Sequence, residues 1–285
     1  MSNSYLRFPP SPSLPLAPQQ WGPLYQDQYS NVLRLYFNQL SNNLGQLGSR
    51  QGGRLINFPH GAFHQDGTTT LTTGISNTST ADLQVGSTAD FPSQGWVLIG
   101  SEIIRFTGKT PTTFTGITRG VFSTTNTSHS AGAAISEVQG VSSPTSYGVV
   151  LFNYTDYSNG VYAGDNGANV YFENAGIYNL QISAQLLNFS NATDNVTVWF
   201  VLNGVDIPYS ASIEEVGAKH GSGPGASILT YNIFQEVAAG DYVTVRWSSN
   251  TGNSVLATYP AGTSPVHPVS PAIILTANFV SSSLR

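Results

Sequence analysis

The chain of 285 residues contains no cysteine. Disulfides and thiolate-bound metals are therefore excluded, whatever else the protein does. Charge is scarce as well: Asp, Glu, Lys and Arg make up 9 % of the residues, where an ordinary globular chain carries roughly a quarter. With a net charge of −5 and no run of Lys or Arg, the electrostatic footprint of nucleic-acid binding is missing. No apolar run approaches the roughly 18 residues that a membrane-spanning helix needs. The first ten residues show no basic stretch leading into an apolar one, so no secretory leader is expected and assembly in a cytoplasm is. Also missing are a nucleophile elbow, a phosphate-binding loop, a dinucleotide fingerprint and a metalloprotease helix. The expectation is a protein that is not an enzyme and uses no cofactor or metal.

What fills the gap is Ser, Thr, Asn, Gln and Gly around a 40 % apolar content with 11 % aromatics. That is too apolar for disorder. It suits a β-rich body with a neutral, polar surface. The chain reads as four segments. Residues 1–24 hold Pro9, Pro10, Pro12, Pro15, Pro18 and Pro23. Proline fixes φ and removes a donor, so this is an extended arm, with Leu14, Leu16 and Trp21 as apolar anchors. Residues 25–65 begin with the one helix, predicted over 25–47. Tyr25, Tyr29, Val32, Leu33, Tyr36, Phe37, Leu40, Leu44 and Leu47 recur there at spacings of three and four. Asp27 is placed in its first turn, facing the helix dipole, and Gly45 and Gly48 are expected to end it. The stripe is close to a heptad seam, so three copies could bundle.

Residues 66–140 read as a small β-domain of five or six short strands with glycines at the turns. Residues 141–285 read as a sandwich of antiparallel strands: apolar and polar residues alternate, or β-branched and aromatic residues run together, between Gly, Asn, Asp and Pro breaks. The 139–146 stretch, with its Gly, Pro and Ser, marks the hinge between these two segments.

Several motifs carry resemblances. Phe172-Glu-Asn-Ala-Gly-Ile-Tyr-Asn-Leu, the Asn203-Gly204 turn, Val237-Ala-Ala-Gly-Asp-Tyr-Val-Thr-Val and the closing run from Ala272 to Phe279 resemble the tumour necrosis factor and complement globular-head superfamily. That resemblance implies a jelly-roll head and a homotrimer. Leu14-Pro-Leu-Ala-Pro, Tyr36-Phe-Asn-Gln-Leu and Pro59-His-Gly-Ala-Phe-His resemble the start of structural proteins of marine tailed phages, cyanophages especially. Phe91-Pro-Ser-Gln-Gly, Ile99-Gly-Ser-Glu-Ile-Ile and Thr112-Thr-Phe-Thr-Gly-Ile-Thr-Arg-Gly-Val are similar to a module inserted in phage tail and fibre proteins.

Together these imply a virion structural protein, mainly β and homotrimeric: a capsid decoration or short head fibre held by its arm and helix. Its partners would be itself and other virion proteins of capsid, neck or tail. The alternative is a tail or neck appendage, or a receptor-recognition protein that binds a host surface glycan. The residues expected to make attachment or trimer contacts are Leu14, Leu16, Trp21, Tyr29, Leu33, Tyr36, Phe37 and Leu40. Of the polar candidates, His60 and His64 are the only close histidine pair and read as loop or strand residues; an ion held by three such pairs on a trimer axis stays open. Glu102, Arg105, Lys109 and Arg119 read as surface ion pairs, with a glycan patch as the other option. Glu214 and Glu215, with Asp206 or Asp194 across a groove, are the only glycosidase-like arrangement to consider. Tyr157, Tyr162 and Tyr259 are the aromatic candidates for sugar contact.

Overall fold

The structure, a computed structural model, describes residues 10–16, 22–47, 58–141, 143–263 and 266–282. The chain divides into two compact units, Met1–Phe58 and Pro59–Arg285.

In the first unit, helix α1 spans Pro23–Leu47. Gly22 caps it: its carbonyl accepts from the N–H groups of Tyr25 at 3.1 Å and Gln26 at 3.2 Å. Pro23 takes the first helical position, where its missing N–H costs nothing and its φ is already helical. The helix therefore begins two residues before position 25, and Asp27 falls beyond a first turn that holds no acid. Gly45 lies inside the helix, not at its end. The described part of the arm, residues 10–16, has no regular element. It is tied to α1 by the Tyr25 hydroxyl, which donates to the Pro15 carbonyl at 3.2 Å.

The second unit is built of antiparallel strands. Its centre is the strand Gly176–Asn188, which pairs residue for residue with Gly225–Val237 on one side. On the other side it pairs with Ile273–Ser281 and, at its far end, with Ser254–Ala257. Ile273–Ser281 leads on to His60–Gln65 and then Tyr154–Asn159. Residues 60–65, grouped above with the helical segment, are thus a strand of the large sheet. From Ser254–Ala257 the same sheet passes to Ala134–Gly140, Gly95–Ile99 and Glu102–Phe106. The segment 66–140 and the head accordingly share one continuous sheet. A second sheet runs through Val161–Ala163, Val170–Phe172, Tyr242–Ser249 and Asp194–Leu202.

Period-two alternation explains the core. Tyr178, Leu180, Ile182, Ala184 and Leu186 face inward from Gly176–Asn188. They meet Val196, Val198 and Phe200 and, from the neighbouring strand, Val243, Val245 and Trp247 of the second sheet. Gly148 makes room for this packing: a Cβ there would lie 2.6 Å from the Trp247 indole nitrogen. Asn203 and Gly204, both at positive φ, turn the strand Asp194–Leu202 into Val205–Asp206, as a two-residue hairpin requires. The 66–140 segment has its own core of Leu83, Val97, Ile99, Ile104, Phe106, Phe114 and Ile135. A third cluster, with Ile103, Val138, Leu187, Phe189 and Val255, packs residues from both parts together.

The start of the stretch expected as a hinge, Gln139 to Val141, is held in place. The Gln139 amide donates to the Leu151 carbonyl at 3.0 Å and accepts from its N–H at 3.2 Å, mimicking a strand partner. Val141 is buried in the head core. Beyond Val141 the described residues Ser143 to Ser146 form a largely exposed turn, closed by the Ser146 N–H on the Ser143 carbonyl at 3.1 Å.

Candidate functional site

Helix α1 has no buried residue. Tyr29, Leu33, Tyr36 and Leu40 are half-buried and lie on one face at spacings of four, three and four, while Phe37 is exposed off that face. Leu14 lies with Pro15 beside Gln28, Asn31 and Val32 of α1, and Leu16 is 94 % exposed. Trp21 is outside the described residues. The structure thus brings the helical candidates onto one stripe with Leu14 nearby, and leaves Leu16 and Phe37 in solvent. Among the described residues, no helix is long and apolar enough to cross a membrane.

The polar candidates separate. His60 and His64 sit on one strand, so their α-carbons are about 13 Å apart and cannot share an ion within one chain. His64 Nδ1 lies 2.9 Å from Asp156 and its ring stacks on Tyr154 at 5.1 Å. Arg119 and Glu102 form a buried pair, not a surface one, with side chains 4 % and 0 % exposed. The guanidinium donates to both carboxylate oxygens, at 2.7 and 2.5 Å. The Thr127 N–H donates to the same carboxylate at 3.0 Å, and His129 Nε2 is 2.8 Å away. Burial raises the Glu102 carboxyl, but these partners more than offset it and hold it below its ordinary value. Lys109 bonds the carbonyls of Thr88, at 2.7 Å, and Phe91, and Arg105 faces solvent, so these residues make no patch.

Asp194 is buried and accepts from the hydroxyls of Ser249 and Ser254 and from the N–H groups of Thr251 and Ser254. Burial pushes its carboxyl up, and these donors bring it net below the ordinary range. Asp206 accepts from the Trp199 indole at 2.9 Å and Arg246 at 3.0 Å. Glu214 accepts from Ser227. Each of these carboxylates is occupied by a local partner. Among the described residues, no three His, Cys, Asp or Glu side chains converge as a metal ion requires.

A cleft of about 480 Å³ opens where the 66–140 segment meets the head. Asp90, Phe91 and Pro92 line one wall, residues 151–155 and 163–167 the other, and Gln65 and Glu137 the base. Asn153 ties the walls: it accepts from the Asp66 N–H at 2.9 Å and donates to the carbonyls of Asp66 and Asp90, the latter at 2.8 Å. Gln65 is 1 % exposed and Glu137 4 %. Burial pushes the Glu137 carboxyl up to about 8. The Gln65 amide and Lys109 oppose the rise, and Asp66 and Asp90 add to it. The amide lies beside that carboxyl, yet among the described residues neither its Nε2 nor its Oε1 completes a hydrogen bond, and Asp66 Oδ1 is equally unpartnered. Burial first, and then Asp90, raise Asp66 as well, against the pull of His64 and the Gly67 N–H.

Sequence reasoning missed this site. Glu137 lies in a strand buried on both faces, so alternation gives no signal there. Gln65 does carry one: it shares the inward parity of Phe63, and a polar residue at such a position invites a question about its partner.

Of the aromatic candidates, Tyr157 is exposed and Tyr259 half-buried. Tyr162 stacks on Tyr171 at 5.5 Å, and Tyr171 meets Tyr242 at 5.4 Å. The three rings form a row across the outer face of the second sheet. Neither a protein-family model nor a curated protein matches the chain.

Proposed function

We propose that the protein is a bacteriophage virion structural protein, a homotrimeric capsid decoration or short head fibre. In this reading the arm and α1 hold it to the particle and the jelly-roll head is exposed. The observation that carries the reading is α1: 25 residues long, apolar along one stripe, and without a buried residue. In proteins most helical stability comes from packing an amphipathic face, so this stripe calls for tertiary or quaternary cover. Leu24, Leu35, Phe37 and Leu44 add exposed apolar surface around it, which a terminal spacer does not need.

Support for subunit contacts comes from the strand Gly225–Val237. Among the described strands it pairs only with Gly176–Asn188, and it exposes Ile228 by 62 % and Phe234 by 64 %. A long edge strand with apolar residues invites aggregation unless something covers it. A neutral, polar surface suits a part of a particle that must not attract host nucleic acid or proteins.

Counting the copies on purified particles by mass spectrometry, with antibody labelling by electron microscopy, tests the placement. Hundreds of copies over the head support decoration or a head fibre. A few dozen at the neck or tail move the protein to an appendage, and no label on any particle ends the virion reading. The Tyr162, Tyr171 and Tyr242 row favours a second reading, recognition of a host surface glycan through ring stacking on sugar faces. Saturable binding on a glycan array, lost in Tyr171→Ala, supports it, and a blank array with folded protein removes it.

A further inference from the structure

The cleft at the base of the head is negatively charged and chemically incomplete. Among the described residues, Asp90, Asp165 and Glu137 line it, and no Lys, Arg or His does. The one ammonium nearby, that of Lys109, is held by the carbonyls of Thr88 and Phe91. At the base, Gln65 is buried, and its Oε1 and Nε2 have no partner among the described residues. Native proteins rarely leave such groups unsatisfied, and those they leave call for an explanation. We infer that this cleft binds an organic cation, a protonated alkylammonium of the kind presented by a diamine or a lysine side chain, with Asp90 and Asp165 at its rim and Gln65 and Glu137 at its base.

The donor count fits. An ammonium brings three donors and no acceptor, and the site offers the Gln65 oxygen and the carboxylates of Asp90, Asp165 and Glu137. The remaining orphan, Gln65 Nε2, needs an acceptor, and a Glu137 oxygen beside it supplies one in either protonation state. Cation binding and ionisation of Glu137 are coupled by charge: an ammonium at the base favours the carboxylate. A metal ion fits less well, because a hard cation wants six or more converging oxygens and no such carboxylate cluster forms among the described residues.

Coupling follows from the charges around Glu137: Asp66 from the turn after His60–Gln65, Asp90 and Lys109 from the 66–140 segment, with His64, Tyr154 and Asp165 further out. Ionisation near pH 8 means that a cation binding the ionised form releases about 0.9 proton per site at pH 7. Its affinity then rises about tenfold from pH 6 to pH 7.

The test is titration calorimetry of the full chain with putrescine and, separately, with Nα-acetyl-lysine amide, in two buffers of different ionisation heat. Expected are one site per chain, the proton release and the pH dependence above, and weakening of about threefold to tenfold in Asp90→Asn from the loss of one nearby charge. Glu137→Gln is expected to bind more weakly and without proton release. Putrescine alone binding identifies a free diamine, and the lysine amide alone a partner's side chain; either supports the inference. No heat with either cation up to millimolar concentration overturns it. So does binding without proton release in the unaltered protein, an unchanged affinity in Asp90→Asn, or a neutral hexose binding in competition with the cations.

Discussion

Replacing Arg119 with Met strands a carboxylate where water does not reach. The Glu102 side chain is fully buried, and Arg119 contributes two of its hydrogen bonds. The same guanidinium holds the carbonyls of Ser76 at 2.6 Å and Thr127 at 2.5 Å. What remains for Glu102 in the variant is the Thr127 N–H and hydroxyl and His129. Removing one partner of a buried ion pair costs about 3–5 kcal/mol. The pH dependence reverses as well. In the unaltered protein the Glu102 carboxyl lies below its ordinary value of 4.5, so its contribution to stability is present above that pH and is lost as the pH falls through the folded value. In the variant, burial dominates and lifts the carboxyl above the unfolded value. Protonation then favours the fold, and stability rises as the pH drops from 7 towards 5.

Urea unfolding followed by tryptophan fluorescence reads both effects. Trp96 packs edge-on against Phe122 at 5.6 Å, on the strand next to Glu102–Phe106, and reports on this region. The double variant Glu102→Gln with Arg119→Met leaves no buried charge and is expected to be more stable at pH 7 than Arg119→Met alone. A cost below about 1 kcal/mol for the single variant, the size of an exposed pair, refutes the reasoning. Equal loss at pH 5 and pH 7 refutes it too.

Three further outcomes follow from the same structure. Glu137 has a raised pKa of about 8, so its contribution to stability is complete below the unfolded value near 4.5 and declines by about 1.4 kcal/mol per pH unit as the pH rises to 8. Glu137→Gln is expected to flatten that slope in urea melts at pH 5, 7 and 8.5, and an unchanged slope contradicts the assignment. Asn153→Ala removes the bonds that join the two walls of the cleft. It is expected to cost about 1–2 kcal/mol and to speed amide exchange at Asp66, and a silent exchange profile there argues against the clamp. Trp247→Ala empties the largest fully buried side chain from the head core and is expected to cost about 3–5 kcal/mol, read as a fall in urea midpoint.

The strands of the head were legible because their alternation is regular and their turns carry the residues that turns demand. Gly176–Asn188 holds the Gly-Ile-Tyr-Asn-Leu part of the motif that starts at Phe172, Asn203 and Gly204 make the turn that ends Asp194–Leu202, and Ile273–Ser281 covers the closing run apart from Ala272. The helix was legible from its stripe, and its start was misplaced because Pro23 was assigned to the arm and not to the first helical position. The partnership of Glu102 and Arg119 was legible as proximity, but not as burial. That depends on Ser76, Ser79 and Thr127 closing over the pair, which no local pattern records. The cleft was hidden for a related reason. Gln65, Asp90 and Glu137 meet only because His60–Gln65 and Ala134–Gly140 are brought into one sheet through Ile273–Ser281, Gly176–Asn188 and Ser254–Ala257. Non-local pairing of that kind leaves no mark on short-range spacing.

The claim that α1 attaches the protein to a particle is tested most directly by incorporation of a full-length variant. Leu33→Glu, Tyr36→Glu and Leu40→Glu together place charge along the half-buried stripe, and none of the three is in the core of the β-unit. The measurement is the amount of this variant, against the unaltered chain, found in purified particles when both are supplied during assembly. The account requires a folded head with an unchanged urea midpoint and incorporation reduced at least tenfold. Equal incorporation of the two chains contradicts it.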